Sequence, residues 1–167
     1  SHSLTISKNL TFKEVKVSDD FDAYTVSGTP ADCVKFALHY FTDEKFDMVC
    51  SGINMGNNLG SDIMYSGTVA AAVEANFLGL KSIAFSNTGR KDFDFSANAA
   101  VIEKIFDKVA ELSSTEYALN VNLPNYAPKG VKFASRGIQK YSDSYVKNDD
   151  GTYRLIGEPV DTKQDEN

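Results

Sequence analysis

The sequence predicts an α/β protein: a mostly parallel sheet wrapped by helices, with a C-terminal antiparallel hairpin extension. Three observations carry this. Short strand-like runs at 46–50, 80–85 and 117–123 alternate with helical patterns from residue 28 onward, the order that builds a parallel sheet. The helical segments keep apolar residues at helix spacing, so each has a face to bury. Beyond residue 123 the chain changes to short strands about a polar turn, the style of a hairpin.

Each element has a local cause. Residues 11–17 alternate, with Lys13, Val15 and Val17 against Phe12, Glu14 and Lys16, an imperfectly amphipathic strand. Its hairpin partner is 23–26, across a solvated Asp19-Asp20 turn. Gly28-Thr29-Pro30-Ala31-Asp32 opens a helix: Thr29 caps, Pro30 fits the first helical position, and Asp32 favours the positive end of the dipole. Cys33, Phe36, Ala37, Tyr40 and Phe41 follow helical spacing and are expected to face a sheet. The strand at 46–50 leads into the loop "SGINMGNNLG" (51–60), and a second helix runs from about 68 to 77, with Gly79 as its terminator. After the strand at 80–85, residues 94–112 form a helix buried through Val101, Ile102, Ile105, Phe106 and Val109. Pro124 closes the strand at 117–123. Residues 131–133, 141–146 and 153–156 read as an antiparallel extension turning at Asn148-Asp149-Asp150-Gly151, and the final "DTKQDEN" as a mobile tail. The expected organisation is a core over 1–135, with the hairpin extension and tail over 136–167.

Composition narrows the function. A chain of 167 residues, 42% hydrophobic and 24% charged, suits one domain with a real core. A net charge of -6 leaves no basic footprint for a nucleic-acid duplex. No apolar run approaches the roughly 20 residues that span a bilayer, so no membrane partner is expected. No signal peptide is read at the start, and a cytoplasmic location is expected. Cys33 and Cys50 lack CxxC spacing and sit within apolar patterns, so they are expected to be buried free thiols in a reducing compartment. His2 and His39 stand in no triad-like setting, which argues against histidine-based catalysis.

The loop after residue 50 holds three Gly and three Asn but no Lys or Arg. Ligands of an open parallel sheet bind beyond the carboxyl ends of its strands, where this loop lies. Glycines let backbone amides approach an anion, and Asn offers both an acceptor and a donor. Downstream, "YSGTVAAA" (65–72) starts a helix with Ser66, Gly67 and Thr68, and the exposed amides of a helix start suit a phosphate. Together the two elements point to a pocket for a phosphorylated small molecule; taken singly, they also read as a plain turn and a plain cap. No Lys follows the glycines, so this is not a P-loop.

Three stretches, "GTPADCV" (28–34), "SGINMGNNLGSDIMYSGTVAAAVEANFLG" (51–79) and "LNVNLP" (119–124), resemble the SurE family of survival-protein nucleotidases, in order and over nearly the whole chain. "SHSLTI" at the start resembles that family's second-strand region. The resemblance implies a Rossmann-like core and a metal-dependent phosphohydrolase acting on nucleoside 5'-monophosphates. It also implies a cytoplasmic homo-oligomer, a dimer or tetramer, whose C-terminal parts exchange between subunits. Asn54 matches the family's asparagine ligand to a divalent metal ion, Mg²⁺ or Mn²⁺. Gly52, Asn57, Ser66, Gly67 and Thr68 are then expected to bind phosphate oxygens through amide and hydroxyl donors. Asn58 is expected to serve mainly as a turn residue.

The sequence also departs from the family. SurE proteins open with an apolar strand ending in Asn-Asp-Asp-Gly, whose aspartates hold the metal, and a serine just before the "SHSLTI" region adds a ligand. The present sequence starts after all three and stops before the family's acidic segment, further strand and closing helix. Ser61 stands where the family commonly has an acidic residue, and Asp62 reads as orienting the loop. Asn148-Asp149-Asp150-Gly151 spells the metal-binding tetrapeptide, but Lys147, Thr152 and Arg154 around it read as a hairpin turn. The 167 residues are therefore expected to be an inactive fragment of a nucleotidase, with one sheet edge exposed where the first strands are missing. The alternatives are a non-catalytic phosphate- or mononucleotide-binding module, and an oligomer-assembly fragment whose hairpin pairs with another subunit.

Overall fold

The structure, a computed structural model, describes residues 3–18, 21–89, 93–138 and 140–160. Strands β1 (Phe12–Lys16) and β2 (Asp22–Val26) pair antiparallel, with Phe12 opposite Val26; the expected Asp19-Asp20 turn lies outside the described residues. Helix α1 (Pro30–Tyr40) starts with a reciprocal cap: the Thr29 hydroxyl accepts from the Asp32 N–H, and the Asp32 carboxylate accepts from the Thr29 N–H. The same carboxylate accepts the N–H and the hydroxyl of Thr5, at 2.9 and 2.6 Å, fastening the N-terminal segment to the helix.

The aromatic side of α1 faces the β1–β2 hairpin, not the parallel sheet. Phe12 lies 4.9 Å from Phe36 and 4.6 Å from Tyr40 between ring centroids, and Tyr24 lies 5.0 Å from Phe41. The helix also runs along α2 (Gly67–Phe77). With its packing divided between these two neighbours, Cys33 is left exposed, contrary to the expected burial.

The core is a parallel sheet in the order β3 (Met48–Met55), β4 (Lys81–Asn87), β5 (Leu119–Leu123). Successive residues of β4 point to opposite faces. Ala84 packs on Val69 and Ala72 of α2, whereas Ile83 and Phe85 pack with Ile102, Ile105, Phe106 and Val109 of α3 (Phe95–Leu112). A strand covered on both faces needs no polar alternation, and Ser82 through Asn87 are all buried. Helix ends follow their sequence: Asp94 caps α3 by accepting from the Ala97 N–H, and Gly79 closes α2 at φ 83°.

Three expectations change. β3 continues through Ser51–Met55, because Asn54 and Met55 pair with Ser86 and Asn87 after a bulge that begins at Ser51; half of the Gly/Asn loop is strand. Among the described residues β3 pairs on one side only, and Cys50 on this edge strand is exposed rather than buried. Residues 131–133 are exposed and form no strand, since no described segment pairs with them.

The C-terminal hairpin forms as expected. Strands β6 (Lys140–Lys147) and β7 (Tyr153–Val160) pair antiparallel about Asn148–Gly151, where the Asn148 N–H donates to the Thr152 carbonyl at 2.8 Å. Gly151 there adopts φ 82°, a conformation that favours glycine. The Tyr141 hydroxyl donates to Asp62 at 2.7 Å, tying the hairpin to the body. The "DTKQDEN" tail lies outside the described residues.

Candidate functional site

In the β3–α2–β4 crossover the N-terminus of α2 stands at the carboxyl end of the sheet, where open α/β folds bind ligands. Between β3 and α2 come residues 56–59 and a short 3₁₀ helix, Gly60–Tyr65. Register then aligns three polar side chains: Asn54 of β3 lies opposite Ser86 of β4, and Ser86 opposite Asn122 of β5. In-register neighbours share a face, so this row crosses the sheet on the α2 side, two residues beyond Ala84.

Asn54 is half-buried, and its Nδ2 donates to the Gly56 carbonyl at 2.8 Å. Its amide oxygen accepts no hydrogen bond from the described residues. The Asn57 side chain is exposed and has no hydrogen-bond partner among the described residues. The Ser66 hydroxyl accepts from the Val69 N–H at 3.2 Å, capping α2. This leaves the N–H groups of Gly67 and Thr68 in the first turn without intrahelical acceptors. Asn54 at the carboxyl end of β3, Asn57 just after it, and Ser66, Gly67 and Thr68 at the start of α2 thus all belong to the β3–α2 connection. Gly52 lies farther back, in the β3 bulge at φ 110°, where a Cβ would run into the Phe85 carbonyl oxygen. That gives the glycine a backbone-packing cause of its own.

Asn58 is the largest departure from the sequence reading. It is buried (5% exposed), and its Nδ2 donates to the Ser86 hydroxyl at 2.5 Å. Its main-chain N–H donates to Asn122 Oδ1 at 2.8 Å, while its carbonyl accepts from Asn120 Nδ2 at 2.8 Å and Asn122 Nδ2 at 3.0 Å. Asn58, Ser86, Asn120 and Asn122 were not marked as site residues by sequence reasoning. The available signal is the Asn-Val-Asn alternation of β5, which sets two carboxamides on one face of a strand whose other residues are apolar. On the opposite face Asn87 Nδ2 donates to Asn98 Oδ1 at 2.5 Å, anchoring the start of α3.

The donor set can be tested against Mg²⁺ or Mn²⁺, which favour charged oxygen ligands. Among the described residues no three His, Cys, Asp or Glu side chains converge, and Asn54 offers one neutral oxygen. Asp62, the acidic residue of the same connection, is exposed and accepts from Tyr141. These residues by themselves do not fit a hard divalent cation.

The family profile described as "Survival protein SurE" matches residues 1–143. The chain is 37% identical over 166 residues to the 5'-nucleotidase SurE of Pseudothermotoga lettingae, an alignment covering 96% of this chain and 64% of that relative. It is 39% identical over 173 residues to the 5'-nucleotidase SurE of Thermoanaerobacter sp. (strain X514), covering 99% of this chain and 69% of the relative. The crystal structure of a SurE protein from Aquifex aeolicus matches at a TM-score of 0.77 with 39% identity, over 95% of this chain and 66% of that one. The chain therefore spans about two thirds of the length of these relatives. A profile match over most of the chain, a shared fold and this level of identity agree: the chain belongs to the SurE family.

Proposed function

We propose that the chain carries the phosphate-binding part of a metal-dependent nucleoside 5'-monophosphate phosphohydrolase, and that the 167 residues alone bind phosphate without hydrolysing it. Relatives named 5'-nucleotidase SurE support the reaction class. One observation supports the reading: Asn54 ends β3, and the connection that follows leads into the Gly67 and Thr68 N–H groups, which have no intrahelical acceptor. Amides at a helix start, aided by the dipole, take phosphate oxygens in place of water. Asn57 and Ser66 complete the assigned phosphate contacts, with Gly52, behind them in the β3 bulge, assigned to shaping the strand that leads there, and Asn54 is assigned as a ligand of Mg²⁺ or Mn²⁺ in the complete enzyme. A hard cation needs carboxylates that the described residues do not bring to Asn54, so no turnover is assigned to them. The same donor set favours a second reading, a non-catalytic phosphate- or mononucleotide-binding module.

The reading includes a cytoplasmic homo-oligomer, a dimer or tetramer. No helix of the described residues is long and apolar enough to cross a membrane. The test is an amide chemical-shift titration of the 167-residue chain with inorganic phosphate and with a nucleoside monophosphate. Shifts concentrated at Asn57, Gly67 and Thr68 are expected; their absence at millimolar ligand would contradict the reading.

A further inference from the structure

We infer that Asn122 is a positioning residue of the phosphate site, whose carboxamide sets the main chain of the loop that presents Asn57 and Asn54. The inference rests on the phosphate-site reading above. Asn122 accepts the Asn58 N–H through Oδ1 and donates to the Asn58 carbonyl through Nδ2, at 2.8 and 3.0 Å. One side chain thereby offers the loop the acceptor and donor that a neighbouring strand would supply. Asn120 adds a donor to the same carbonyl at 2.8 Å, and Ser86 accepts from the Asn58 side chain.

The clamp reaches the ligand side through the chain itself. Asn58 is fixed by β4 and β5, and the Gly56 N–H donates to the Asn87 carbonyl at 3.0 Å. Exposed Asn57 is thus the link between two anchored residues. The Gly56 carbonyl takes Asn54 Nδ2, which leaves the Asn54 oxygen to face away from that bond. Asn122, on a strand 64 residues from the loop, therefore governs two of the assigned contacts without touching the ligand.

Only a group that accepts and donates at once fits this place. A carboxylate still accepts from the Asn58 N–H but opposes the Asn58 carbonyl; once protonated, it donates again. None of the groups bonded to Asn122, Asn58 and its partners Asn120 and Ser86 titrates, so a pH response in Asn122→Asp belongs to the introduced carboxyl.

The experiment titrates the 167-residue chain with inorganic phosphate, reading the Asn57, Gly67 and Thr68 amides at pH 8 and pH 5, each variant relative to the parent chain at the same pH. Asn122→Asp should bind about 10-fold more weakly at pH 8 and return to within about 2-fold at pH 5, the scale of one charge-sensitive hydrogen bond. Its Asn57 response should vanish before those of Gly67 and Thr68. Asn122→Leu should be weakened at both pH values. Asn120→Ala, at an exposed position that leaves the fold intact, should lose about 3-fold and provides the test should Asn122→Asp fail to fold at pH 8. Parental affinity in folded Asn122→Asp at pH 8, equal weakening at both pH values, or unchanged binding in Asn120→Ala would overturn the inference. A parent chain that shows no phosphate response overturns the phosphate-site reading itself, which sets that failure apart.

Discussion

Asp32 is buried (5% exposed) yet ionised, and the balance of its surroundings explains how. Burial pushes the carboxyl up, but the hydroxyl and N–H of Thr5 and the N–H of Thr29 outweigh it and hold it at about 2, against an ordinary 3.8. A carboxylate depressed in the folded state stabilises fully above its unfolded value, and this contribution is lost as pH falls from about 4 through about 2. Asp32→Asn keeps the shape but loses the charge. It should cost about 2 kcal/mol in urea unfolding at pH 7, with the deficit shrinking toward pH 2. An unchanged midpoint at pH 7 would contradict this account of the N-terminal fastening. The cap formed by Thr29, Pro30 and Asp32 was legible because it is local; the bond from Thr5, 27 residues away, was not. Asn57 and Asn58 show the same limit. Adjacent and chemically identical, they are separated into exposed and buried by distant partners: Ser86 takes the Asn58 side chain, while Asn120 and Asn122 take its main chain.

Elements were legible where period and punctuation agreed, and were misread where pairing decided. Gly52, Asn54 and Gly56 read as loop, yet β3 extends through Asn54 and Met55 because β4 offers a full edge to pair with. The exposed thiols have a related cause: burial of Cys50 depended on neighbours of an edge strand, and that of Cys33 on which elements α1 meets. The β6–β7 hairpin exposes Tyr145 at 71%, Tyr153 at 62% and Leu155 at 54%, apolar surface that an isolated hairpin cannot bury. We propose that a second copy of the chain covers it, in keeping with a division into a 1–135 core and a 136–167 extension. Sedimentation should show a self-associating chain that becomes monomeric when residues 136–167 are removed. A stable monomer of the whole chain with slowly exchanging hairpin amides would argue against it.

At the scale of the molecule, the three family-like stretches have distinct physical roles. "GTPADCV" caps α1 and fastens the N-terminal segment, "SGINMGNNLG" with "YSGT" carries the chain from the end of β3 into α2, where phosphate binding is proposed, and "LNVNLP" holds this connection from β5. The family and fold were legible from these stretches, whereas the clamp emerged only when β5 was set beside the loop. Phosphate binding without turnover is proposed for these residues, because among the described residues no carboxylates converge to hold a metal. Its most direct test is hydrolysis of a nucleoside monophosphate with Mg²⁺ or Mn²⁺, comparing the 167-residue chain with an N-terminally extended form carrying the family's Asn-Asp-Asp-Gly strand. The expected result is metal-dependent turnover by the extended form alone, abolished there by Asn54→Ala with the fold preserved. Equal turnover by both forms would contradict the claim and require carboxylate ligands within these 167 residues.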